Sequence, residues 1–158
     1  MKALDATLLG IEEILLKALF VILPLLCFLQ VISRFVLHFP VPWSEEAMRV
    51  LFMWATFIGA SLAVKRGAHL SVTALVSTLP EVPREIVALV IGLLCAVLCL
   101  YFSYNGLEVS MMEADSGETL PVSGLPTYIS SMAIPIGFLL MAVRFALAAI
   151  ERWQRRAA

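Results

Sequence analysis

Four apolar stretches, each close to the roughly 20 residues that cross a bilayer, take up most of the 158 residues and leave no segment for a soluble domain. They run at about 14–37, 45–64, 86–109 and 128–150, joined by short connections. With 61% apolar and 15% charged residues, the chain is expected to act in or against the membrane. The expected fold is an all-α integral membrane protein, a single four-helix transmembrane domain over 1–158. The second stretch is the shortest: its uncharged part, Val50 to Val64, rises only about 22 Å against a core of roughly 30 Å. Its first turn, charges included, must therefore reach into the bilayer.

Orientation follows from lysine and arginine, which short cytoplasmic flanks retain. With both ends inside, the inner side holds Lys2, Lys17, Lys65, Arg66, Arg84, Arg144, Arg152, Arg155 and Arg156, and the outer side only Arg34 and Arg49. That asymmetry predicts an N-in, C-in topology. The first apolar run is too long for a signal-peptide core and follows Asp5, Glu12 and Glu13, so the first span is expected to stay attached. Leu4, Leu8, Ile11 and Leu15 recur at helical spacing, which fits either an amphipathic surface turn or a plain extension of that span. A second short interfacial helix is expected where Lys65, Arg66 and His69 precede Leu70, Val72, Leu75, Val76 and Leu79. The basic tail around Trp153 suits an anionic inner leaflet.

Polar chemistry concentrates at Trp43-Ser44-Glu45-Glu46, where the second span begins. Ser44 is expected as the N-cap, with two acids against the positive end of the helix dipole. Arg34 is the nearest cation and is expected to pair with Glu45 or Glu46; Arg34, Trp43, Glu45, Glu46 and Arg49 together form a candidate outer-side brace. Along the second span Ala55, Gly59, Ala63 and Gly67 recur every fourth residue, a small-residue stripe that lets another helix approach. The third connection, read as Glu108 to Pro126, carries Glu108, Glu113, Asp115 and Glu118 without a cation, a candidate docking patch on the outer face. Pro24 and Pro135 fall inside the first and fourth spans, where proline removes a backbone donor and kinks a helix.

Several classes are disfavoured. Read from the sequence, no span has a carboxylate or histidine at its middle, which argues against an independent transporter or exporter. His38 and His69 lie at opposite faces in this topology and would not ligate one haem. Cys27, Cys95 and Cys99 sit within apolar spans and read as small hydrophobes. There is no P-loop, zinc spacing or nucleophile–base pair, so no cofactor, enzymatic activity or nucleic-acid partner is expected, and an accessory or scaffold subunit is the physical reading.

The stretch WSEEAMRVLFMWATFIGASLAVKRGAHLSV, the Leu79-Pro80 that follows, and Ile134-Pro135-Ile136-Gly137-Phe138 through Arg144 resemble the small membrane subunit of tripartite ATP-independent periplasmic (TRAP) transporters, the DctQ-like family. One departure is Thr73, where an acid would be expected. The resemblance implies a bacterial inner-membrane subunit bound to a large membrane subunit that carries the substrate and sodium sites. A periplasmic binding protein would deliver the organic acid, such as a C4-dicarboxylate or sialic acid. In that setting the chain is scaffold, not conduit.

Overall fold

A computed structural model describes residues 2–39, 41–65 and 81–157. Helix α1 covers Lys2–Phe35, α2 Pro42–Lys65, α3 Glu81–Ser116, the one-turn α4 Tyr128–Ser131, and α5 Ala133–Ala157. Four stretches are long and apolar enough to span a membrane: Leu9–Phe35, Pro42–Lys65, Leu89–Ser116 and Tyr128–Ile150. The interfacial helix expected after Lys65, and Gly67 with it, lie outside the described residues. The first of the two surface segments is no separate element, because α1 runs unbroken from Lys2 through Pro24.

The helices form an open row instead of a closed bundle. Among the described residues α1 packs on α2, α2 on α5, and α5 on α3, while no helix closes the circle between α1 and α3. Helices α2 and α5 run in one direction, α1 and α3 in the other. One end of the row, the terminal end, therefore carries the start of α1 and the close of α5; the opposite, loop end carries residues 36–39 and the connection 117–127. A small cluster of Leu19, Ala55 and Ile58 joins α1 to α2, and another of Cys99, Met141 and Ala142 with Phe57 and Phe138 joins α3, α5 and α2.

Lipid tails are as apolar as leucine, so burial alone cannot drive these contacts; close backbone approach and interhelical hydrogen bonds must. Two glycines supply the approach. A Cβ at Gly137 of α5 would sit 2.5 Å from the Phe57 Cβ of α2, and one at Gly106 of α3 would sit 3.0 Å from Ile134 and 3.3 Å from Pro135 of α5. Phe138 then fills the space beside Gly137, edge-on to Phe57 at 5.5 Å and stacked on Phe102 at 5.4 Å.

Three helix boundaries differ from the expected ones. Helix α2 starts at Pro42, whose fixed φ and missing N–H suit a first helical position, so Ser44 lies within the first turn and donates to the Val41 carbonyl at 2.6 Å instead of capping. The fourth span is broken at Met132 between α4 and α5, so Pro135 falls in the first turn of α5, where its lost donor has no helical partner to miss. Helix α3 continues to Ser116, which moves Glu108, Glu113 and Asp115 out of the third connection and onto the helix.

Candidate functional site

The loop end is built around Glu46. Its carboxylate is buried and accepts three hydrogen bonds, from the Val122 N–H at 3.0 Å, the Ser123 N–H at 2.8 Å and the Ser123 hydroxyl at 2.6 Å. These donors belong to the connection 117–127, which folds back on itself through Leu120 N–H to Leu125 carbonyl at 2.7 Å and Thr127 N–H to Glu118 carbonyl at 3.0 Å. Gly117 and Gly124 hold φ of +66° and +68°, left-handed values that let the loop turn twice in a few residues. Glu46 thus pins this loop to α2 and makes no pair with Arg34.

Arg34 lies 4.0 Å from Glu45 instead, in an exposed pair, and Gln30 donates to the same Glu45 carboxylate at 2.8 Å. Trp43 and Arg49 are exposed. One turn further in, the Trp54 indole N–H donates to the Ile129 carbonyl at 3.0 Å, and the Ser131 hydroxyl to Glu113 at 2.5 Å, so α2 and α3 both grip α4 at the break in the fourth span. Of the acidic patch, Glu113 is therefore engaged within the chain, Asp115 and Glu118 are exposed at the loop end, and Glu108 stands two turns down α3, away from the loop.

At the terminal end a second cluster appears that the sequence reading did not single out. Arg144 of α5 donates through Nη2 to the Glu12 carboxylate of α1 and through Nε to the Ser61 hydroxyl of α2 at 2.9 Å, while Ser61 reaches Glu12 at 3.5 Å. Glu12 is 5% exposed, Arg144 6% and Ser61 0%. A charge so far from water must be paired, and here each partner comes from a different helix. The available signal was Arg144 itself, the one ionisable residue between Ala133 and Ile150.

The small-residue stripe is divided. Ala55 is buried against α1; Gly59 faces Leu16, whose Cδ1 would lie 3.6 Å from an added Cβ; Ala63 is exposed. The tighter approaches are those at Gly106 and Gly137. Two open grooves lie on the described surface, one on α1 lined by Ile22, Leu25, Leu26, Phe28, Leu29 and Ile32, the other between α1 and α2 beside Glu13 and Lys17. No group of three or more metal-ligating side chains occurs among the described residues. Chemically, each buried polar cluster does the same thing: it ties one helix or loop to another.

Comparison with known proteins agrees with an accessory role in transport. The ectoine TRAP transporter small permease protein TeaB of Halomonas elongata is 28% identical over 127 residues, 80% of this chain and 66% of that protein. The sialic acid TRAP transporter small permease protein SiaQ of Vibrio cholerae is 30% identical over 135 residues, 85% of this chain and 77% of that protein. The isethionate TRAP transporter permease protein DctMQ of Oleidesulfovibrio alaskensis is 28% identical over 102 residues, 65% of this chain but only 16% of that much longer protein. The family profile of the DctQ component of tripartite ATP-independent periplasmic transporters matches residues 23–155, and the chain belongs to that family.

Proposed function

We propose that this multi-pass chain is the accessory membrane subunit of a TRAP transporter, a scaffold for a larger permease subunit that takes up a small solute with sodium after delivery by a periplasmic binding protein. The observation that carries the reading is the disposition of the polar groups. Glu12, Ser61, Arg144, Glu46 and Glu113 are all spent on holding helices and a loop of this chain, and the two grooves are apolar and open to the side. A conduit needs polar groups left free along a path across the membrane. The match to a sixth or so of a longer permease supports the idea that a unit like this one works beside a larger one.

Membership of the DctQ family supports a bacterial inner membrane location, and the lysine and arginine distribution supports an orientation with the terminal end in the cytoplasm and the loop end outside. The exposed pair of Arg34 and Glu45 and the exposed acids Asp115 and Glu118 would then face the binding protein. The transported solute is set elsewhere: relatives named for ectoine, sialic acid and isethionate match this chain at 28–30% identity. The test is a mild-detergent purification of the tagged chain from its native membrane, followed by uptake in vesicles. Recovery of one large polytopic protein, with sodium-driven uptake lost when this chain is absent, supports the scaffold. Recovery of the chain alone, moving solute unaided, overturns it in favour of a small exporter.

A further inference from the structure

Glu108 is the one buried-depth carboxylate that the fold does not use. It lies inside the candidate span Leu89–Ser116, eight residues and so about 12 Å of helix rise below the loop end of α3. Its level is set independently by packing: Gly106, two residues away, abuts Pro135, and Gly137, two residues on, abuts Phe57, itself well inside α2. Its side chain is exposed, and it has no hydrogen bond or ion pair among the described residues. In a helix the Cα–Cβ bonds tilt toward the N-terminus, which on α3 is away from the loop end, so the carboxylate leans toward the middle of the membrane. The expected end of the third span, just past Glu108, is thereby corrected: the helix and the candidate span continue to Ser116.

The surroundings are as uneven as the position. Ala96, Cys99, Gly106 and Ser110 make the face of α3 that meets α5. On the opposite face Val90, Leu94 and Val97 are followed by Tyr101, Tyr104, Glu108 and Met112, all exposed, so its half nearer the loop end turns from aliphatic to hydrogen-bonding. The free face of α1 has no such change: from Ala18 to Ile32 there is no acidic or basic residue, and Phe20, Val21, Leu25, Phe28 and Leu29 point outward. An ionisable group at membrane depth faces protein or a water-filled cavity and not lipid.

We propose that the Tyr101, Tyr104 and Glu108 face of α3 is where the larger permease subunit docks, through a transmembrane helix that brings a cation or an N–H or O–H donor to the Glu108 carboxylate. The proposal rests on the scaffold reading above and names the face it uses. Charge complementarity selects this occupant: the surface offers one acid and two phenols in an apolar field, and only a protein helix can place a fixed donor at that depth.

The experiment uses the complex purified from native membranes, with a photoreactive benzoylphenylalanine in place of Tyr104 or, as a comparison, Phe28, together with the variants Glu108→Gln and Glu108→Leu. Because Glu108 is exposed and makes no hydrogen bond or ion pair among the described residues, both variants are expected to be made and folded as wild type, checked by gel filtration. The expected results are a cross-link to the large permease from position 104 and a fall of roughly thirtyfold in recovered permease with Glu108→Leu, smaller with Glu108→Gln. Wild-type protein that recovers the permease, while position 104 labels only lipid or a second copy and Glu108→Leu changes nothing, overturns this inference and leaves the scaffold standing. Wild-type protein that recovers no permease, or solute movement by the chain alone that depends on Glu108, overturns both.

Discussion

Glu12 and Glu46 are both buried carboxylates at opposite ends of one thin molecule, and they are neutralised in different ways. At the loop end Glu46 accepts three neutral donors from a nearby connection, so its charge is spread over local dipoles. At the terminal end Glu12 meets a full opposite charge from a helix it does not otherwise pack against, with Ser61 of the intervening helix completing the cluster. The first arrangement shapes a loop; the second holds three helices in one plane. Neutral donors leave a modest debt when one is lost, whereas stripping one member from a buried ion pair strands a charge.

The comparison can be broken first at the terminal end. Glu12→Ala or Arg144→Ala is expected to destabilise the chain by about 3–5 kcal/mol, measured by thermal unfolding in detergent, while the double variant Glu12→Leu with Arg144→Leu stays close to wild type. Single variants that unfold like wild type would show that the pair is wet and not structural. Between the two ends, Gly137→Ala forces a methyl into Phe57 and is expected to cost about 1–3 kcal/mol in the same assay. Gly59→Ala, whose added Cβ meets only the flexible Leu16 end at 3.6 Å, is expected to lie within about 0.5 kcal/mol of wild type. At the loop end, Glu46→Ala releases the connection 117–127, and limited proteolysis should cut there about tenfold faster with the helices intact. The smallest effect belongs to Arg34→Ala: its pair with Glu45 is exposed and stretched to 4.0 Å, so stability should change by no more than about 0.5 kcal/mol.

The four spans were legible because length and apolarity are read directly from residue type. The joints between them were not. The third span was closed at Val109, just past the first acid, although Met111 and Met112 carry the helix on to Ser116. Ser44 looked like a cap by type, but the preceding proline had already begun the helix. Pairing across helices was the hardest part: Arg34 was expected to meet Glu45 or Glu46 and lies 4.0 Å from Glu45, while Glu12 and Arg144 are 132 residues apart and no local pattern connects them. Of the small-residue stripe Ala55 is buried against α1, whereas the tightest approaches fall at Gly137 and Gly106, each with a buried small residue four positions away, Ala133 and Ser110.

The open row also has a consequence in time. Helices α1 and α2 are neighbours and can settle against each other as soon as both have left the ribosome, but α3 touches neither of them among the described residues. It must wait in the membrane for α5, the element on which both α2 and α3 lean. Until α5 arrives, Glu12 has no counter-charge. A chain truncated before Arg144 would leave Glu12 without that partner, so the first helix reaches its final set of contacts only when the last one is in place.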